Sequence, residues 1–404
     1  MECTLAAAAP ATAPDRNLTP SSLLAAFAAV PDPRRQASVA YPLSALLALA
    51  VVAILARQLS LLAIAEWAGR QGDAVLVPLG LRAGRTPVQS TLQRLFARLE
   101  ADRLIDALAA HFQPPAAPDP QARGGQGVAI DGKAQRGRLR FQAGGCPVHA
   151  LTAFCHEHGV VLAQEPIDGG ADKAEAELSV APALLARVDW RGRVLTGDAL
   201  FCQRRLCRQV LDAGGDYLLV VKDNQPALHA DLALLFDPPS TVPAAPLDDR
   251  REALTLGRGH GRTADRRHLI ASTDLSGYLD WPGAAQVFRL ERTWRERGQD
   301  KRAIHYGVTS LPPDVGTPAR LLTLRRGHWA IENRLHYPKD VTLGEDRSLT
   351  HAGAGPTVMA LLRDAALSLL RRAGRHAIAS QLRAHADHPL AAVTLVADPP
   401  APRA

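Results

Sequence analysis

The chain has 404 residues, 47% hydrophobic and 22% charged, with a net charge of +7. That length predicts two or three domains around a sizeable core, and the balance reads as soluble and globular rather than disordered. The positive surplus favours a polyanionic partner.

The five cysteines, Cys3, Cys146, Cys155, Cys202 and Cys207, form no CxxC pair. No zinc site is expected, and reduced thiols in a cytoplasm fit the odd count. The early Glu2 and short alanine run argue against an export signal. The most apolar run, Leu43 to Ala56, stops short of a membrane span, so a buried core helix is expected and no membrane partner.

Residues 1–16 are rich in Ala, Pro and Thr and read as disordered. From 17 to 113 the pattern is helical, with Leu92, Leu95, Leu99 and Leu104 near helical spacing. A Pro/Gly-rich linker at 114–126 marks a domain boundary. From 127 to 237 the period changes. Strands are expected at "GVAID", "CPVHALTAFC", "GVVLAQEPI", "RVLTGD" and "DYLLVVK", with helices in "KAEAELSVAPALLARV" and "CQRRLCRQVLDAG". This is a mixed α/β layer. Residues 238–318 read as a β-rich stretch, 319–350 as a return to the layer of 127–237 with helical spacing in "LLTLRRGHWAIENRLHY", and 351–390 as C-terminal helices with a basic polar face.

Two aspartates share one context: Asp131 ends "GVAID" and Asp198 ends "RVLTGD". Carboxylates there would sit on the rim of the sheet, where open α/β sheets place ligands. Glu332 lies on the later helix. Arg325, His328, His336 and Lys339 fall at helical spacing on its face. A strand-end aspartate alone can be a turn or cap residue, and a helix glutamate a solvated one. Together, three hard oxygen donors suit a pair of Mg²⁺ ions, with Mn²⁺ as a substitute, and two such ions serve phosphoryl chemistry. Lys133, Arg136, Lys222, Asn224, Arg325, His328, His336 and Lys339 are candidates for holding a nucleic-acid backbone. Gly132 is expected to turn the chain off the sheet rim, leaving Lys133 and Arg136 facing phosphate rather than Asp131. Trp294 reads as a core residue or a stacking platform for a base. Glu345 and Asp346 are a second acid pair able to replace Glu332.

At these residues the sequence resembles bacterial insertion-sequence transposases of the H-repeat-associated type, within the DDE superfamily. The matching pieces are "VPDPRR", "AIAEW", "AIDGKAQRG", "LTGDALFCQ", "DYLLVVKDNQP", "GHGR" and "GHWAIENRLHYPKDVTLGEDRS". They run in order from about residue 20 to 370. The resemblance implies a ribonuclease-H-like mixed-sheet catalytic core with Asp131, Asp198 and Glu332 as a metal-binding catalytic triad. It makes 238–318 an insertion and the helical N-terminal segment a candidate for binding transposon ends. It also implies DNA partners, both inverted-repeat ends and target DNA, a homodimer on that DNA, and association with the bacterial nucleoid. In related transposases a lysine seven residues after the glutamate binds DNA, the place of Lys339. The chain departs from the pattern at Ala264, where relatives carry an acid; Asp265 follows it. Two rival readings remain: a DNA-binding protein that has lost transposition, and a metal-dependent nuclease without strand transfer.

Overall fold

The computed structural model describes residues 22–35, 37, 39–113, 125–135, 148–167, 173–241, 246–259 and 262–397. The expectations for 1–16, most of the 114–126 linker, Cys3, Cys146 and Arg136 lie outside the described residues.

The chain opens with helices α1 (Leu23–Ala28), α2 (Leu43–Leu55), α3 (Leu61–Gly69), α4 (Asp73–Leu76), α5 (Gln89–Arg98) and α6 (Ala101–Phe112). Ser22 and Ser60 cap α1 and α3, their side chains accepting the free N–H groups of Ala25 and Ala63. In α2 every residue except Ser44 is buried. A helix apolar all round has to lie inside, and neighbours enclose this one. Among the described residues, no helix is long and apolar enough to cross a membrane.

Among the described residues nine strands follow: β1 (Gln126–Gln135), β2 (Val148–Cys155), β3 (Val161–Ile167), β4 (Arg193–Gly197), β5 (Asp216–Val221), β6 (Arg251–Gly259), β7 (Arg262–Ser272), β8 (Gln286–Glu296) and β9 (Gln299–Thr309). They form one sheet in the order β3-β2-β1-β4-β5-β9-β8-β7-β6. β1, β2 and β3 are an antiparallel meander, while β4 and β5 run parallel to β1. That is the ribonuclease-H-like mixed sheet. Helices α7 (Lys173–Ala186) and α8 (Arg204–Asp212) make the crossovers into β4 and β5, and α9 (Pro226–Phe236) packs on β8 and β9.

The β-rich stretch is no separate layer. β9 pairs antiparallel with β5, Leu218 opposite Thr309, so the insertion extends the core sheet. Helix α10 (Pro318–Gly327) lies on the joined sheet, burying Leu321, Leu322 and Leu324 against Val194, Leu218, Leu269 and Phe288.

The chain ends in α11 (Gly355–Arg372), α12 (Ile378–Asp387) and α13 (Pro389–Ala397). These helices pack back on α2, and α11 also touches α5, α6 and β3. First and last helices thus share one apolar body. Arg187 ties that body to the sheet, its guanidinium 2.5 Å from Asp106 on α6 and 2.7 Å from Glu165 on β3.

Candidate active site

β1 has different partners on its two edges. It pairs with β4 only from Gln126 to Ala129, but with β2 from Val128 to Gln135. Asp131 is therefore not the end of the strand. It is the point just past the end of β4, where one edge of β1 has lost its neighbour. Ala129 faces Thr196, so two residues further along lie Asp131 on β1 and Asp198 beyond β4. Both aspartates reach the same mouth of the sheet.

Gly132 does not turn the chain. It sits mid-strand opposite Leu151, and a Cβ there would collide with the Glu177 carboxylate and the His149 ring. Those two groups are buried, with His149 Nε2 3.0 Å from Glu177 Oε1. The glycine makes room for this pair, which the sequence reading missed.

Glu332 comes from the opposite side. After α10 the helix continues through π-type turns at Glu332–His336 and Pro338–Thr342. His336 Nδ1 lies 3.2 Å from Glu332 Oε2 and 3.4 Å from Asp131 Oδ2. Ligand atoms of Asp131, Glu332 and His336 all fall within 4.8 Å of one another. The carboxylates stay partly open to water, 34% for Asp131 and 54% for Glu332, while His336 is buried.

Electrostatics follow from this packing. Burial opposes ionisation of Asp131, but the hydrogen bond and charge of His336 outweigh it, and its carboxyl is held below the usual range. His336 does the same for Glu332. Burial opposes the imidazolium of His336, and its two acid partners overcome that, raising its pKa. Asp198 shifts the other way. Loss of water on its protein side comes first, then the Asp131 charge and the more distant Glu177, and together they raise its pKa. Asp198 also accepts the Leu200 N–H at 3.0 Å, capping the turn that follows.

The other expected residues divide. Lys133 does not pair with Asp131; its amine is 2.6 Å from Asp340. Lys222 is exposed just beyond β5. Asn224 donates to the Ala199 carbonyl at 2.7 Å, holding the loop after Asp198. Arg325 feels the charge of Asp198, and its Nε and Nη1 are buried without a hydrogen-bond partner among the described residues. Burial is the main cause that brings its pKa down to about 10. His328 is buried, and burial followed by the Arg325 charge lowers its pKa to about 4. A neutral buried imidazole is poorly placed to meet DNA.

Lys339 is also turned inward, 4% exposed, with its amine 2.8 Å from Asp364. An α-helix would bring it back to the Glu332 face after seven residues. Each π-type turn closes one residue later, so everything beyond it rotates by about 100°. Glu345 is buried beside Lys339 and is not a spare ligand. Trp294 is half-buried on β8, with the Arg292 guanidinium 4.7 Å over its ring. Asp265, beside Ala264, takes two hydrogen bonds from Arg292 at 2.9 Å each.

Asp131, Glu332 and His336 thus meet at one mouth of a mixed sheet, with Asp198 just past the end of the neighbouring strand β4. The chain matches a DDE_Tnp_1-associated segment over residues 24–112 and a transposase DDE domain over 122–370. The second match spans more than half of the chain, which therefore belongs to the transposase DDE domain family. YncI of Escherichia coli O157:H7, which bears a transposase name, is 29% identical over 357 residues, 87% of each chain. A protein from the dhlA 3′ region of Xanthobacter autotrophicus is 32% identical, over 68% of this chain and 89% of its own. The H repeat-associated protein YhhI of Escherichia coli K12 is 26% identical over 60% of this chain and 63% of its own.

Proposed function

We propose that this protein is a Mg²⁺-dependent DNA transposase that cuts phosphodiesters at the inverted-repeat ends of its element and joins the freed strand to target DNA. The convergence of Asp131 and Glu332 around His336, within 4.8 Å, carries the reading. Two partly hydrated carboxylates converging beside an imidazole fit a divalent cation, because their oxygens can exchange water for the ion. Asp131, Glu332 and Asp198 would hold two ions. When bound, these supply Lewis acidity at the attacking and leaving oxygens.

The chain's own groups do the rest. His336, with Nδ1 between the two carboxylates, favours the ionised form of both Asp131 and Glu332. Lys222 stands exposed at the end of β5 and suits backbone phosphate, whereas the Arg325 guanidinium is buried and adds positive charge felt by Asp198. Water attacks phosphorus and the 3′ oxygen leaves as the strand end. That 3′-hydroxyl then attacks a target phosphodiester in the same site; the target's own P–O3′ bond breaks and its 3′ oxygen leaves as a hydroxyl, so no covalent link to protein is needed. End recognition falls to the helical segment before β1, and two ends call for two copies of the chain.

The test uses DNA carrying the inverted repeats that flank the gene. Wild-type protein with Mg²⁺ or Mn²⁺ should give nicked ends and then joined products. Asp131→Asn should lose both while binding the end DNA as before. Cleavage by Asp131→Asn at the wild-type rate would remove Asp131 from the site. Nicks without joined products would make the protein a nuclease, and end binding without nicks a DNA-binding relic.

A further inference from the structure

Beneath the catalytic segment runs a buried polar chain that none of the chemistry above uses. It starts in the strand row of Asp131. Asp131 faces Thr152 across β1 and β2, and Thr152 faces Gln164 across β2 and β3. Residues directly opposite one another project from the same face of a sheet. Gln164 donates from Nε2 to Thr152 Oγ1 at 3.1 Å and to Asp364 Oδ2 on α11 at 2.7 Å. Asp364 Oδ1 in turn lies 2.8 Å from Lys339 Nζ, on the segment that carries Glu332. Lys339 also approaches Glu345 at 3.4 Å, and Arg363 reaches the same Glu345 oxygen at 3.8 Å. Lys339, Glu345, Arg363 and Asp364 are each at most 4% exposed.

Two cations and two anions cancel, but drying four charges is costly. Apolar residues of similar volume would hold the fold at least as well. A geometric role explains the chain better. The Glu332 segment has π-type turns, and in such a stretch the backbone alone leaves the rotation of later residues open by about 100° per added residue. The segment whose rotation sets Lys339 on Asp364 also carries Glu332 and His336, which meet beside Asp131. A second tie, Lys133 to Asp340, has an acid that is 34% exposed and so is softened by water.

We propose that Lys339 and Asp364 are a positioning pair that fixes the rotation of the Glu332 segment against the Asp131 row, and so sets the spacing of the two metal ligands. This rests on reading Asp131 and Glu332 as ligands.

The experiment measures Mn²⁺ binding directly, by calorimetry or by the EPR signal of the free ion, on the full chain without DNA. Lys339→Met alone strands the Asp364 charge, so the decisive variant is the neutral pair Lys339→Met with Asp364→Asn, which keeps an acceptor for Gln164. It is expected to fold with a Tm close to wild type and to bind Mn²⁺ about 10- to 100-fold more weakly, the range for residues that orient ligands. Lys339→Arg is expected to restore most of the affinity. A folded neutral pair with wild-type Mn²⁺ affinity would overturn the proposal, and so would a neutral pair that cannot fold, since the network would then be a stability element. Asp131→Asn separates the two readings. If it binds Mn²⁺ as wild type does, the ligand assignment falls and this proposal with it. If it binds weakly while the neutral pair does not, only the positioning role falls.

Discussion

The two halves of the nine-stranded sheet are held by different forces. In the core half, every residue of β4 and β5 is buried. In the extension, β8 and β9 are buried only near the core, and their far ends carry ion pairs. There Arg302 meets Glu291, Arg267 and Arg292 share Asp265, and Arg295 meets Asp300 near the tip, while Arg289, buried near the core, bridges Asp237 and Glu291. Burial of apolar area is strong, whereas exposed ion pairs contribute about 0–1 kcal/mol each. Asp131 and Asp198 stand in the half where packing sets positions.

Substitutions sharpen this contrast. Leu219→Ala, at a site with no exposed surface, should cost about 2–5 kcal/mol in a denaturant melt. A loss below 1 kcal/mol would mean that the core half is not packed as described. Gly132→Ala should cost about 1–3 kcal/mol, because the Glu177–His149 pair has to move. A wild-type melt for that variant would show the pair to be adaptable.

Acid should act on the extension first. The Arg292 hydrogen bonds hold the Asp265 carboxyl at about 2, against an ordinary 3.8. A depressed carboxyl adds stability above its unfolded pKa and loses it as pH falls through the folded one. Between pH 4 and 2, amide exchange in β7 and β8 should therefore quicken before that in β4 and β5. Equal loss in both halves would erase the distinction. Smallest of all, Arg295→Ala removes a pair whose side chains are 56% and 75% exposed, and stability should stay within about 0.5 kcal/mol. A loss above 1 kcal/mol would mean that the tip helps to hold the sheet.

Much of the core was legible because its signals are local. Apolar runs ending in Asp131 and Asp198 announce two strands and the mouth they share. The seamless apolar pattern of α2 announces a buried helix. Other features depend on distant partners. "GKAQ" lacks the alternation of a strand, yet β2 holds it as one, so β1 runs past Asp131. The pairing of β5 with β9 joins segments far apart in sequence, and nothing in either names the other. Lys339 was misplaced because helical spacing assumes i→i+4 closure, and a π-type turn leaves no mark on composition. Glu177 carries no mark in the helical run around it; its place follows from Gly132 beneath it and His149 beside it.

The β5–β9 pairing also bears on how the gene can be shortened. Joining the chain from Lys222 straight to Thr317 would look like trimming an ornament. It would instead strip the outer neighbour from β5 and leave its row of amides and carbonyls open beside the site. Such a truncation invites strand-to-strand aggregation of an otherwise complete core. The extension is thus a built-in edge guard, and any minimal version of this protein needs a substitute for β9.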